Sequence, residues 1–318
     1  MNTATASAYK NSAAWHPIRR ALKREKAQKS NGFRANCTYR LCIKDNVLID
    51  PCQGSGHILA YMFDVLVQIY EAYGYTAREA AASIVEHNIW GLDIDDRATQ
   101  LAYFSVMMKA RQYDRRFFSR GIQPHVYSIT ESNNLDPHCI EYFIDGRPAL
   151  RTAMDSLIKE LHDAKEYGSI LNVDMVDFDA LFARFIEIQN EAAPSMYSYQ
   201  AIESLLPLVQ VAQTMAQKYN ITITNPPYMG NGSMSDTLLE FAKTYYFDSK
   251  MDMFAMFIDK CGRFTKKHGF YAMITQPSFL FLSSFEKLRR TVIENKMCLS
   301  TIKCSERSPK SAVVSQHA

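Results

Sequence analysis

The residues best suited to chemistry stand in the stretch ITNPPYMG, 223–230. An apolar, β-branched run stops there at Asn225, and Pro226, Pro227 and Tyr228 follow. Two prolines fix φ and remove two N–H donors, so the Pro226 carbonyl points in a set direction. The Asn225 side chain adds an amide oxygen. Two acceptors held this way bind both hydrogens of an exocyclic aryl amine. Accepting both favours a pyramidal nitrogen whose lone pair is free of the ring. Tyr228 then stacks on the base face, a contact of about 1–3 kcal/mol. Such an amine attacks a methyl group on a sulfonium in line, and the catalysis is positioning plus preorganised acceptors. A base inside a duplex cannot enter this pocket, so it must be flipped out. The bland alternative is a plain Pro-Pro turn after an edge strand.

Three upstream segments supply partners for that chemistry. DPCQGSGH (50–57) follows a short apolar run and opens a helical pattern. Gly54 and Gly56 permit positive φ and close approach of backbone to a ligand. The following helix offers free N–H groups and a positive dipole end. The spacing is neither a dinucleotide fingerprint nor a Walker loop. Asp50 places a carboxylate where a pyrophosphate would be repelled, which suits an ammonium group or bound water. GLDID (91–95) ends a second apolar run in acids. Asp93 is placed to accept from ribose hydroxyls, and Asp95 to cap the next helix. HVYSITES (125–132) reads as a third strand carrying Glu131 at its end, within reach of an adenine amino group or simply exposed. Cys52 has no neighbouring base or cation to lower its pKa, so it reads as loop wall. Tyr245, Tyr246 and Phe247 read as packing residues.

These loops need elements to hold them. NVLID (46–50) reads as a buried strand. A helix follows with apolar residues at Ile58, Leu59, Met62, Phe63, Leu66 and Ile69. Thr76 and Glu79 form a capping box ahead of AREAAASIVEHN. The β-α-β-α-β alternation implies a doubly wound parallel sheet with ligands at the strands' carboxyl ends. Residues 137–219 break that rhythm with amphipathic helical patterns, read as an insertion before the fourth strand, ITIT (221–224). Helices over about 235–247 and 251–266, the strand GFYAMIT (269–275) and a helix over 283–295 complete the pattern.

Composition bounds the rest. The chain has 318 residues, 47% hydrophobic and 22% charged, which suits a globular α/β domain. No apolar stretch approaches the roughly 20 residues of a membrane span. The seven cysteines lack CxxC spacing, so a reducing cytoplasm with free thiols and no metal is expected. The formal charge of +3 singles out no partner. Residues 1–45 are expected to be a poorly ordered basic lead-in, with RRALKREKAQK at 19–29, and 304–318 an irregular tail around a 46–303 core.

DPCQGSGH, GLDID and TNPPY, in that order, resemble the motifs of amino-methylating, S-adenosylmethionine-dependent DNA methyltransferases. DPCQGSGHILAYMFDVL, IWGLDIDDRATQLAYFSVMMKAR and GFYAMITQPSFLFLSSFEKLR resemble the large adenine methyltransferases of bacteriophage-exclusion (BREX) systems, the PglX family. The likeness covers about residues 46–300. It implies a Rossmann-like methyltransferase core, S-adenosylmethionine as cofactor and double-stranded DNA with a flipped adenine as partner, alongside other phage-defence proteins. It implies cofactor contacts from Asp50, Pro51, Gly54, Gly56, Asp93 and Glu131. Asn225, Pro226, Pro227 and Tyr228 would hold the adenine, and Phe285, or else Phe279, would stack on it. Family members are longer, with an N-terminal cofactor element and a C-terminal target-recognition region, so a truncated or frameshifted piece is expected. Methylation of an RNA base or a protein glutamine, and a non-catalytic cofactor-binding remnant, are the alternatives.

Overall fold

The computed structural model describes residues 43–305 and 308–317, and the basic segment at 19–29 lies outside them. Five strands form the parallel body of one sheet: β1 (Leu48–Asp50), β2 (Ile89–Asp93), β3 (His125–Ser128), β4 (Tyr219–Thr224) and β5 (Thr265–Thr275). Two more, β6 (Lys296–Ser305) and β7 (Ser308–His317), extend it in antiparallel pairing, giving the order β3-β2-β1-β4-β5-β7-β6. The doubly wound expectation therefore holds. From β1 the chain builds outward through β2 and β3, then returns to add β4 on the other side of β1. The order reverses between β1 and β4, which opens a crevice at their carboxyl ends.

Strand side chains alternate between faces and so divide between two cores. Leu48, Ile221, Ile223 and Ala272 share one core with Leu59 and Phe63 of α1 (His57–Ala72), Ala80 and Ala81 of α2 (Ala77–Ser83) and Ala102 of α3 (Asp96–Tyr113). Ile49 and Leu92 face the opposite way, into the inserted helices. The Thr76–Glu79 capping box opens α2 as expected.

The insertion consists of α4 (Pro137–Ile144), α5 (Pro148–Glu160), α6 (Ala164–Tyr167), α7 (Phe178–Gln189), α8 (Met196–Gln200) and α9 (Leu206–Ala216). Its turn at Gly168–Ile170 is fastened to the core. The Ser169 hydroxyl donates to the Pro51 carbonyl at 2.6 Å, and the Tyr246 hydroxyl to the Ile170 carbonyl at 2.5 Å. The buried Lys260 ammonium donates to the Leu171 carbonyl and the Asn172 side chain, and burial pushes its pKa down to about 7. Helices α10 (Asp236–Tyr245) and α11 (Met253–Phe264) follow β4, and α12 (Glu286–Asn295) follows β5.

Two expectations fail here. The third strand stops at Ser128, so Glu131 lies in the following loop rather than at a strand end. The reason is local: Ser132 turns to the insertion, its N–H reaching the Leu161 carbonyl at 3.1 Å and its hydroxyl the Ile158 carbonyl at 2.6 Å. The tail expected to be irregular contains β7 over its described residues 308–317, which pairs residue by residue with β5, from Phe270↔Gln316 to Thr275↔Ser311. A neighbouring strand supplies the hydrogen bonds that no local pattern advertises.

Candidate active site

Asp50 is the last residue of β1 and is fully buried. One carboxylate oxygen accepts the Cys52 N–H at 3.1 Å. The other has no hydrogen-bond partner among the described residues. Burial raises the carboxyl pKa to about 7. The nearby Thr224 hydroxyl and the Cys52 N–H pull it down, and the charge of Asp93 pushes it up. Thr224 is the last residue of β4, and its hydroxyl is buried close to the carboxyl without a well-formed hydrogen bond. The first and fourth loops thus start side by side on adjacent central strands, Leu48 pairing with Ile221 and Ile49 with Thr222.

The loop after β1 is tied to β2. Gln53 N–H donates to the Leu92 carbonyl at 3.0 Å, and Gly54 N–H to one Asp93 carboxylate oxygen at 2.8 Å. The other Asp93 oxygen accepts the Asp95 N–H at 3.0 Å, while Asp95 caps α3 through Arg97 N–H at 2.8 Å. Gly54 and Gly56 take φ of 51° and 81°, as the spacing suggests. Their surroundings differ. A Cβ on Gly54 would meet nothing within 4 Å, whereas one on Gly56 would lie 2.8 Å from the Ala102 Cα. At Gly56 it is helix α3 that leaves no room for a side chain. Burial and the Asp50 charge push the Cys52 thiol well up, which keeps it protonated and fits a wall rather than a nucleophile.

After β4, Asn225 is half-buried, Pro226 buried, Pro227 exposed and Tyr228 half-buried. The Tyr228 hydroxyl lies 3.0 Å from the Asn225 side-chain oxygen and 3.0 Å from the Ile274 carbonyl at the end of β5. Its ring packs against Phe254, with centroids 6.1 Å apart. Asp252, unnoticed in the sequence, holds this turn. One of its oxygens accepts the N–H of Met229 and of Phe254, each at 3.2 Å, and Met253 N–H donates to the Met229 carbonyl at 2.9 Å. Its signal was only that of a helix N-cap, since it also caps α11. Burial raises its pKa, against the backbone donors that lower it.

Not every expected residue reaches the crevice. Phe285 and Phe279 are both buried and pack on Phe254, at 5.9 Å and 6.4 Å between centroids. They back Phe254, which in turn packs on Tyr228, and being buried they present no open stacking face. Tyr246 is buried as a packing residue, but Tyr245 and Phe247 are exposed. Glu131 is half-buried in its loop.

Asp50 suits a cationic ligand group: a buried carboxylate with one oxygen unpartnered gains most from an ammonium. Asp93 retains lone pairs for hydroxyl donors beside the open space at Gly54. A nucleoside carrying an ammonium tail fits that donor and acceptor set, and S-adenosylmethionine is such a molecule.

Residues 87–308 match the model of a family described as Eco57I restriction-modification methylase. The chain is 39% identical over 251 residues to the adenine-specific methyltransferase PglX of Lacticaseibacillus casei (strain Zhang), covering 78% of this chain and 21% of that protein. It is 38% identical over 271 residues to the adenine-specific methyltransferase BrxX of Escherichia coli O9:H4 (strain HS), covering 78% and 22%. The chain spans about a fifth of the length of these curated relatives. Among solved structures it resembles the ATP-dependent type ISP restriction-modification enzyme LlaBIII bound to DNA, with a TM-score of 0.48 and 12% identity over 86% of this chain and 16% of that one.

Proposed function

The chain belongs to the Eco57I restriction-modification methylase family, and from that premise we propose that it methylates N6 of adenine in DNA, in the cytoplasm, as part of a phage-defence system. S-adenosylmethionine, when bound, supplies an electrophilic methyl group on a sulfonium. The residues around the crevice divide the remaining work. Asp50 holds the ammonium of the cofactor, Asp93 its ribose, and the Gly54 turn leaves room for both. The Pro51 carbonyl, tied to Ser169, fixes the wall of the loop.

On the other wall, the Asn225 amide oxygen and the Pro226 carbonyl accept the two N–H groups of an adenine turned out of its helix. Both contacts keep the amine lone pair off the ring. Tyr228 covers the base face, and Phe254 backs it. When methyl passes to N6 the sulfonium would leave as a neutral thioether and the alkylated nitrogen would carry a positive charge, so its proton becomes acidic and is released to water, with no strong base required before attack.

The observation that carries this reading is the adjacency of Asp50 and Thr224 across β1 and β4, which sets a carboxylate beside the Asn-Pro-Pro-Tyr turn. The test is chromatography with mass detection on DNA incubated with the chain and S-adenosylmethionine. N6-methyladenine is the expected product. Methylation confined to RNA or to protein glutamine would replace DNA as the substrate.

A further inference from the structure

Beyond the crevice, one turn stands out on the same edge of the sheet. Phe281 is 78% exposed and Leu282 51%, yet the turn that carries them is firmly held. The Ser278 carbonyl accepts the N–H of Phe281 at 3.2 Å and of Leu282 at 3.0 Å. The Arg289 guanidinium donates to the carbonyls of Phe279 at 2.8 Å and Leu282 at 2.5 Å. Phe279 and Phe285, on either side in sequence, are buried and anchor it. Two large apolar side chains are thus held outward in water by a fixed turn, and what they meet is decided by their position and surroundings.

Position and charge say what that is. β5 lies next to β4, and the Tyr228 hydroxyl touches the Ile274 carbonyl shortly before the turn begins. The tip therefore sits at the carboxyl edge that holds the Asn225 loop. Just past it, Lys287 stands 5.1 Å from the exposed Phe247 ring, and Lys250 stands 3.9 Å from the same ring. One acid, Asp248, lies 3.9 Å from Lys287, and Glu286 pairs with Arg290 at 3.7 Å. Two lysines around one exposed ring suit a phosphate backbone with bases beside it. A protein partner would need a broad apolar face, whereas separating a base step needs one or two apolar side chains.

We propose that Phe281 and Leu282 form an apolar wedge that enters duplex DNA next to the target base, with Lys250 and Lys287 on the neighbouring phosphates. The wedge fills the gap that the departing base opens in the stack. This proposal rests on the DNA-methylation reading for its biological meaning, but its test does not need methyl transfer.

The experiment compares the 318-residue chain with its Phe281→Ser/Leu282→Ser variant. Anisotropy of labelled short duplexes reports binding, one fully paired and one with a single A·A mismatch. Opening costs less at the mismatch, so the unaltered chain is expected to bind it about tenfold more tightly. The double variant is expected to lose that preference while keeping its salt-dependent binding to the paired duplex and its melting temperature. The wedge is overturned if the unaltered chain shows no preference or if the variant retains it. A changed oligomeric state with the preference intact assigns the tip to a protein contact and also overturns it. A chain that prefers the mismatch but never methylates DNA loses the methylation reading and keeps the wedge. A chain that methylates without the preference does the reverse.

Discussion

The Tyr228 hydroxyl reaches the Asn225 side-chain oxygen at 3.0 Å, so the acceptor proposed for a target amine is engaged by the residue proposed to stack on the base. One phenolic hydrogen serves both this oxygen and the Ile274 carbonyl. A base amine entering the pocket shares the Asn225 oxygen with the phenol or displaces it. Tyr228→Phe keeps the ring and frees the acceptor. Its melting should reveal a loss of about 1 kcal/mol, with methyl transfer within about threefold of the unaltered chain. Tyr228→Ala removes the stacking face and should weaken target binding roughly ten- to a hundredfold. Equal defects in the two variants would place the role in the hydroxyl, not the ring.

On the proposed assignment, Asp50 acts with opposite signs in folding and in cofactor binding. Its folded pKa, about 7, lies above the ordinary 3.8. Below about pH 4 the folded and unfolded chains both hold the proton. Between about 4 and 7 only the folded chain keeps it, so stability falls as pH rises through this window, by at most about 4 kcal/mol. Asp50→Asn removes that slope, and urea titration should find it more stable than the unaltered chain near about pH 8. Cofactor affinity should move the other way. It needs the ionised carboxylate, so it should climb about tenfold per pH unit up to about 7 and then level. The Asn variant should bind weakly at every pH.

The two loop glycines should separate by mechanism. Gly56→Ala combines φ of 81° with a Cβ 2.8 Å from the Ala102 Cα, and should cost about 2–5 kcal/mol in denaturant melts. Gly54→Ala has space for the methyl and should cost only about 1 kcal/mol. Its larger effect should be about tenfold weaker cofactor binding, because the new methyl occupies the open side of the loop.

Asp252 holds the turn that carries Tyr228 and is predicted to act as a positioning residue. Asp252→Ala leaves the N–H groups of Met229 and Phe254 without their acceptor and loosens the turn behind Tyr228. Turnover should fall roughly ten- to a hundredfold with KM for S-adenosylmethionine unchanged. Asp252→Asn keeps an oxygen acceptor and should recover most of the rate. Failure of Asn to rescue would move the role from hydrogen bonding to charge.

Local features of the sequence read well. The alternation of apolar runs and helical patterns yields the parallel sheet, and the prolines after Thr224 announce a rigid turn. Asp95 and Thr76 cap helices because their side chains act within one turn of chain. What stays hidden depends on distant partners. The contact of Gly56 with Ala102, which leaves no room for a side chain, has no mark in the local sequence. Asp252 looks like a helix cap until Met229 folds back onto it. Phe285 looks available until Phe254 covers it, and β7 has no visible pattern apart from its pairing with β5. The adjacency of β1 and β4, on which the site depends, is a property of sheet order and not of either segment.

Isothermal titration of S-adenosylmethionine into the chain, Asp50→Asn and Asn225→Ala tests the crevice most directly. A single saturating site is predicted for the unaltered chain, at least about tenfold weaker binding for Asp50→Asn, and unchanged binding for Asn225→Ala. No heat from the unaltered chain, or equal affinity in the Asp50→Asn variant, would contradict the assignment of the β1 wall to the cofactor.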